Sequence, residues 1–382
     1  MSPNFAQAAS RRWGSPPWQI SFTPTEHPLP SQVDFAVIGA GFSGLAAAAW
    51  LRLLAPEKSV AVFESGQIGH GASGRTGGMA LAESASGDLP GLGDVLAGLQ
   101  DILARLSVDC GLSLPGAWEI ARKGGLPHSP ISWKDSGTLR AIAEVPGGTL
   151  DPGKLVTGLA RAAEHLGALI FENHPVGSVR WGEPLELEID RDVSSALLVK
   201  TSKVLFATSA LSLGLSGLDA GSHPKLTLAV RSAPIQEDQL NAIGLSEGKP
   251  FYTVDFPYLW GRTLPDRSII WGAGLVDAPP SGSLEDVDIR SEVPSSMFAK
   301  FKKRVHGLHP ALAALKFTHE WGGPILFRDD WQPVFDWHPR SRNAMVLGAF
   351  AGHGVALSNY LGAWAAEILL VRRQLPENWG RV

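Results

Sequence analysis

Apolar positions change their period several times along the chain, and each change marks an element. Val33–Ile38 is a short apolar run with the character of a buried strand. Leu45–Leu54 continues as an Ala/Leu stretch of helical character, and Ser59–Phe63 is a second buried run. Further on, Val95, Leu96, Leu99, Ile102, Leu103 and Leu106 recur at helical spacing. Asp151-Pro152-Gly153 precedes a helix over Leu155–Leu166 that stops at Gly167. Ala168–Phe171 then reads as a strand, Pro175–Val179 as a turn into another, and Lys203–Ala207 as a further buried strand. That alternation predicts a parallel sheet rebuilt beside the first unit. From Lys225 to Gly274 the texture shifts to β-rich alternation with turns such as Leu264-Pro265-Asp266-Arg267, which predicts an antiparallel sheet. Residues 1–30 carry six prolines and predict an extended arm that Trp13 and Trp18 pack on the body.

The junction between the first strand and the first helix carries chemistry. Gly39, Gly41 and Gly44 stand in G-x-G-x-x-G order, with Ala40, Phe42 and Ser43 between them. The first glycine allows the tight turn, the second lets backbone approach a pyrophosphate, and the third lets helix pack on strand. The helix N-terminus faces the phosphates with unpaired N–H groups and a positive dipole end. Glu64, followed by Ser65, ends the second strand twenty residues after the third glycine, where a carboxylate can hold a ribose diol. Strand, glycines, helix, strand and acid in register point to a bound dinucleotide. Trp271-Gly272-Ala273-Gly274 has similar spacing but is followed by Asp277-Ala278-Pro279 and no helix, so a single dinucleotide is expected.

Composition narrows the class. The 382 residues have room for two intertwined domains, and a net charge of −4 leaves no electrostatic footprint for nucleic acid. Phe35–Leu51 runs seventeen residues without a charge, near the roughly 18–20 of a membrane span. Its three glycines, its strand-like first third and the flanking Asp34 and Arg52 argue against lipid. No apolar run follows Arg11 and Arg12, so a signal peptide is not expected and the protein reads as cytoplasmic. Cys110 is the only cysteine, which excludes an intrachain disulfide, a dithiol redox centre and a cysteine-built metal site. No metal is expected. Thirteen Trp against three Tyr suggests rigid apolar walls around a pocket as well as core.

Two further segments carry a resemblance. Gly69-His70-Gly71-Ala72-Ser73-Gly74-Arg75-Thr76-Gly77-Gly78 resembles the G-x-G-A-S-G-R-N-G-G loop of D-amino-acid-oxidase-like flavoproteins, above all the gamma-glutamylputrescine oxidase group. Gly348-Ala349-Phe350-Ala351-Gly352-His353-Gly354-Val355-Ala356-Leu357 is similar to their C-terminal G-x-x-G-H-G-V motif. Trp321-Gly322-Gly323 and Pro333-Val334 match the run before the last strand. The resemblance spans about residues 30–372 in order. It implies an α/β fold (α+β overall), a Rossmann-like FAD-binding domain interleaved with an antiparallel-sheet substrate domain. The FAD-binding parts would be 31–90, 150–222 and 340–375, and the substrate parts 91–149 and 223–339, after an arm over 1–30.

The same resemblance implies FAD as the cofactor. Glu64 would bind the adenosine ribose, the Ala72–Gly78 loop would wrap the pyrophosphate and flavin side, and Val176 would sit by the adenine. Ala207 and Thr208 would close the cofactor site from the strand end beside it. Gly352–Gly354 would open a helix from about Val355 to Leu370, its N–H groups facing the edge of the flavin where charge collects on reduction. His353 would lie at the flavin and substrate or in a supporting position; Arg75 would be a flavin-side cation or a loop anchor. Arg262 is the candidate for a substrate carboxylate or a solvated strand-end charge. Tyr252, Tyr258, Trp260 and Trp321 are candidate pocket walls. Monomeric sarcosine oxidases tether FAD through a cysteine that Pro324–Asp336 lacks. Others use a histidine where the register here puts Thr76, with His70 offset, so the FAD is expected to be non-covalent. The lysine after the G-H-G triplet is replaced by Ala356, and an oxygen-activating lysine has no counterpart in Ser268–Val276, which disfavours simple N-methyl amino acids and fast oxygen reactivity.

The function implied is oxidation of a small amine or amino acid by hydride transfer to flavin N5, giving an imine that hydrolyses. Electrons would pass to O2 or another acceptor. Alternatives are an amine dehydrogenase serving a quinone or protein acceptor, and a flavin-binding protein without turnover of its own.

Overall fold

The computed structural model describes residues 12–192, 195–279, 283–377 and 379–382. Residues 1–11 of the proline-rich arm, Arg11 among them, lie outside the described residues.

The strand Gln32–Ile38 is buried on both faces and lies between Val60–Phe63 and Ser195–Phe206, parallel to each. Leu169–Phe171 and Ala344–Gly348 extend the parallel sheet on either side. Ile38 stands opposite both Phe63 and Phe206, so the glycine turn after it leaves at the carboxyl edge of the sheet, where ligands bind in such folds. The helix Phe42–Leu54 starts at Gly41 without a side-chain cap. A side chain at Gly44 would place its Cβ 2.0 Å from the Gly39 carbonyl oxygen, which is why helix and strand can pack this closely. The C-terminal helix Gly354–Leu369 crosses the same helix just as closely, with Gly362 facing the Ser43 backbone. Pro152–His165 is capped by Asp151, whose carboxylate accepts from the Lys154 N–H.

The second sheet runs in the order Phe317–Arg328, Ser222–Ser232, Ile269–Asp277, Trp260–Thr263, Phe251–Thr253, Ala117–Ala121, Thr138–Val145 and Ser132–Lys134. All its pairs are antiparallel except Phe251–Thr253 with Ala117–Ala121. Those two strands come from separate chain segments, so no hairpin dictates their direction. Trp271-Gly272-Ala273-Gly274 lies inside a strand of this sheet. The turn Leu264–Arg267 closes the hairpin before that strand, with Leu264 N–H donating to Ser268 O.

Two segments depart from the sequence expectation. The helix Val95–Arg105, placed with the substrate part, buries Val95, Leu99 and Ile102 in the core of the parallel-sheet layer, beside the C-terminal helix. Its apolar stripe fits either layer, and only the tertiary packing chooses. Val334–Trp337 pairs antiparallel with Ala344–Gly348 and so joins the first sheet. Among the arm's described residues, 15–30 form no helix or strand; Trp13 is fully buried and donates to Leu284 O, and Trp18 donates to Gly74 O. No helix among the described residues is long and apolar enough to cross a membrane.

Candidate active site

A cavity of about 760 Å³ opens between the carboxyl edge of the parallel strands and the inner face of the second sheet. Of the sequence-singled cofactor residues, Gly39, Gly41, Phe42, Ser43, Glu64, Ser65, Ala72, Ser73, Arg75, Thr76, Gly77, Val176, Ala207, Thr208, Gly352, His353, Gly354 and Val355 line it. Ala40, Gly44, Gly74 and Gly78 do not, and each has a backbone role instead. Ala40 N–H donates to Glu64 Oε2 at 2.9 Å. Gly44 and Gly74 would each drive a Cβ into a carbonyl oxygen, Gly39 O and Gly69 O respectively. Gly78 adopts φ +74° beneath Leu150 O.

The glycine turn leaves room for a ligand backbone rather than a side chain. Gly39 has φ +103° and its Cβ would sit 2.6 Å from Ala207 O. A Cβ at Gly41 would lie 2.8 Å from Ser73 Oγ, which already accepts from the Phe42 N–H at 2.9 Å. Glu64 accepts from the backbone N–H groups of Ala40 and Gly66, each at 2.9 Å, and His70 Nδ1 lies 3.7 Å from its Oε1. Burial alone would raise this carboxyl, but the His70 ring and the two N–H donors outweigh it and hold it below the usual range. Glu64 therefore stays ionised against the cavity, as a ribose acceptor requires.

Thr208 Oγ1, Ser358 Oγ and His353 Nδ1 are enclosed atoms without a partner among the described residues, and all three side chains line this cavity. Buried polar atoms seldom lack partners. Together with the glycine cradle and the ionised Glu64, they fit a dinucleotide carrying hydroxyl, phosphate and ring nitrogen groups. Cys110 is buried in the parallel-sheet core and does not line the cavity. Burial, with Asp109 nearby, pushes its thiol up to about 11.

The Gly352–Gly354 loop turns sharply, with Gly352 at φ +95°, into the uncapped N-terminus of the C-terminal helix. Burial holds the His353 imidazole below its ordinary range; the negative charge of Glu83 and the Ala351 backbone pull the other way without restoring it. The ring meets Tyr252 edge-on, centroids 6.4 Å apart.

The second sheet supplies Tyr252, Tyr258, Trp260 and Trp321 to the cavity wall. The Trp260 indole lies against Gly77 of the loop and Gly272 of the next strand, where added Cβ atoms would meet it at 2.3 Å and 1.9 Å. The glycine at 272 thus makes space for an aromatic ring, which explains the fingerprint-like spacing. Tyr258 packs at a tilt against the exposed Phe256, ring centroids 4.2 Å apart, on a loop whose Pro257 and Tyr258 carbonyls accept from Arg304.

Neither arginine offers its head to the cavity as a solvated cation. Arg75 donates to the carbonyls of His70, Gly14 and Gly322, and burial lowers its pKa to about 10. That is the loop-anchor alternative in geometric form. Arg262 is 5 % exposed, donates to Gly77 O and does not line the cavity. Burial lowers it also to about 10, against the pull of Asp151. Its strand faces inward beneath the Gly77–Gly78 turn, so a substrate carboxylate does not reach it.

Two cavity residues escaped the sequence reading. Tyr252 Oη lies 2.8 Å from both Glu83 Oε1 and Glu119 Oε1, and all three line the cavity. Burial, and then the two carboxylates, drive the phenol's ionisation far above its usual range. Glu119 left one signal, a lone acid inside the apolar run Ala117–Ala121. Glu83, in a loop, left none.

Residues 34–368 match the family model described as FAD dependent oxidoreductase. A probable oxidoreductase OrdL of Rhizobium meliloti (strain 1021) is 24 % identical, covering 89 % of this chain and 83 % of that protein. The gamma-glutamylputrescine oxidoreductase of Escherichia coli (strain K12) is also 24 % identical, covering 88 % of this chain and 83 % of that protein. Glycine oxidase from Geobacillus kaustophilus superposes with a TM-score of 0.66 at 18 % identity, covering 92 % of this chain and 100 % of that one.

Proposed function

The chain belongs to the family of FAD-dependent oxidoreductases, with FAD as its cofactor, and from that premise we propose that it oxidises a primary or secondary amine to an imine. The observation that carries this reading is one cavity lined jointly by the glycine turn, the N-terminus of the C-terminal helix and the aromatic wall of the second sheet. Two relatives by sequence or fold are named for amine or amino-acid substrates, gamma-glutamylputrescine and glycine.

In this proposal the cofactor-lining residues hold FAD without a covalent bond. Glu64 would receive the ribose hydroxyls, the N-terminus of Phe42–Leu54 the pyrophosphate, and the N-terminus of Gly354–Leu369 the pyrimidine edge. When bound, FAD supplies a two-electron acceptor for the hydride leaving the carbon beside the amine nitrogen. The chain's own part is positioning and proton handling. Only a neutral amine can push out a hydride, so an ammonium substrate must first lose a proton. His353, on the cavity wall and kept neutral by burial, would accept it. Trp260, Trp321 and Tyr258 exclude water from the reacting carbon, and hydrolysis of the imine to a carbonyl and an amine follows. The electrons pass on to dioxygen or to a quinone or protein carrier.

Stopped-flow mixing under nitrogen tests this. Amines should bleach the flavin, faster as pH rises and the substrate ammonium deprotonates, while NADH and NADPH should not. Rapid bleaching by a reduced nicotinamide, with none by amines at high pH, would place the chain among reductases or monooxygenases.

A further inference from the structure

The cavity carries two carboxylates, Glu83 and Glu119, outside the glycine cradle. Glu119 lies in the strand Ala117–Ala121 and stands directly opposite Tyr252 in the parallel pairing; Glu83 follows the strand Met79–Leu81. Both reach the same phenol oxygen at 2.8 Å. A phenol has one proton to donate. The second short O···O contact therefore has no phenol proton of its own, and either a proton on one carboxyl or a bound cation completes it.

The surroundings sharpen this. Among the described residues, the arginine lining the cavity is Arg75, whose guanidinium serves the carbonyls of His70, Gly14 and Gly322; no lysine lines it. Arg262 lies off the cavity under Gly77. His353 shares the wall with Tyr252, and its ring meets the phenol edge-on. A substrate carboxylate entering here meets like charge, whereas an ammonium meets two acceptors.

We propose that Glu83 and Glu119, joined through Tyr252, bind a second, non-reacting ammonium group, so that the substrate is a di- or polyamine and not an α-amino acid. This rests on the reading of the cavity as an amine-oxidising site. The reacting amine would give its proton to His353 and its hydride to the bound FAD, while the distal ammonium would stay protonated between the carboxylates.

Three probes with the same reacting end decide it: 1,4-diaminobutane, 1-aminobutane and 4-aminobutanoate, each titrated in anaerobic flavin reduction. The diamine should half-saturate at a concentration at least about tenfold below the monoamine, with the carboxylate weakest. In Glu83→Gln and Glu119→Gln, compared at equal flavin content, that ratio should fall toward one and 4-aminobutanoate should gain. If either variant fails to fold, the order in the parent enzyme still decides. A parent that takes 4-aminobutanoate or an α-amino acid as well as the diamine, or an order that persists in both flavin-loaded variants, overturns the assignment while leaving amine oxidation intact. Failure of every amine to bleach the flavin overturns both.

Discussion

The indole Nε1 of Trp321 donates to the backbone carbonyl of Arg75 across 2.9 Å, and the Arg75 guanidinium returns a bond to the carbonyl of Gly322, the next residue, at 3.1 Å. This reciprocal pair fastens the loop around the cavity to the second sheet. The arm joins the same knot: Gly14 O accepts from Arg75, and Trp18 packs edge-on against Trp321, centroids 5.7 Å apart. Loop, sheet and arm hold one another.

Arg75→Ala should therefore destabilise the protein, because several buried carbonyls lose a charged donor at once. A loss of about 2–4 kcal/mol is expected. Trp321→Phe, which removes one donor and leaves a smaller ring at a fully buried position, should lose about 1–3 kcal/mol. Denaturant unfolding of the flavin-loaded proteins measures both. A change within about 0.5 kcal/mol for Arg75→Ala would show the knot to be incidental.

Glu64→Gln should weaken FAD binding by about 1.5–3 kcal/mol, roughly ten- to a hundredfold in Kd. Gly41→Val should do worse, since its Cβ would meet Ser73 Oγ at 2.8 Å and the rest of the side chain would enter the cavity. Fluorescence titration of apoprotein with FAD gives both constants. Parent-like affinity in both variants would place the nucleotide elsewhere.

Acid precipitation should leave all flavin in the supernatant. Cys110 is enclosed in the core away from the cavity, and the loop histidine, His70, is buried beside Glu64. Yellow colour remaining with the washed pellet would contradict this.

The His353 imidazole should make stability fall with acidity. Burial lowers its pKa below the ordinary 6.5, so between the two values the unfolded chain binds the proton more readily than the folded one. The stabilising effect is full above the unfolded pKa and is lost as pH falls through the folded one. His353→Asn should consequently lose less melting temperature than the parent between about pH 7.5 and about pH 5. Equal losses would show that His353 is not held neutral by the fold.

The glycine-turn side of the cavity was legible in the sequence. Strand, glycine turn, helix, second strand and Glu64 lie within Val33–Glu64, and the contacts among them are local: Gly44 against Gly39, Ala40 against Glu64. Local contacts follow from periodicity and backbone sterics, which a linear pattern displays. The C-terminal loop and helix were legible for the same reason. The second-sheet side of the cavity was settled only in three dimensions. Tyr252 meets Glu83 and Glu119 across 169 and 133 residues, and whether they meet depends on strand register and on two chain segments pairing in parallel. Arg262 reads as a free cation in sequence and is buried under Gly77 because its strand faces inward there. A strand's neighbours change with every two-residue shift of register, and no local pattern records which register the whole sheet settles on.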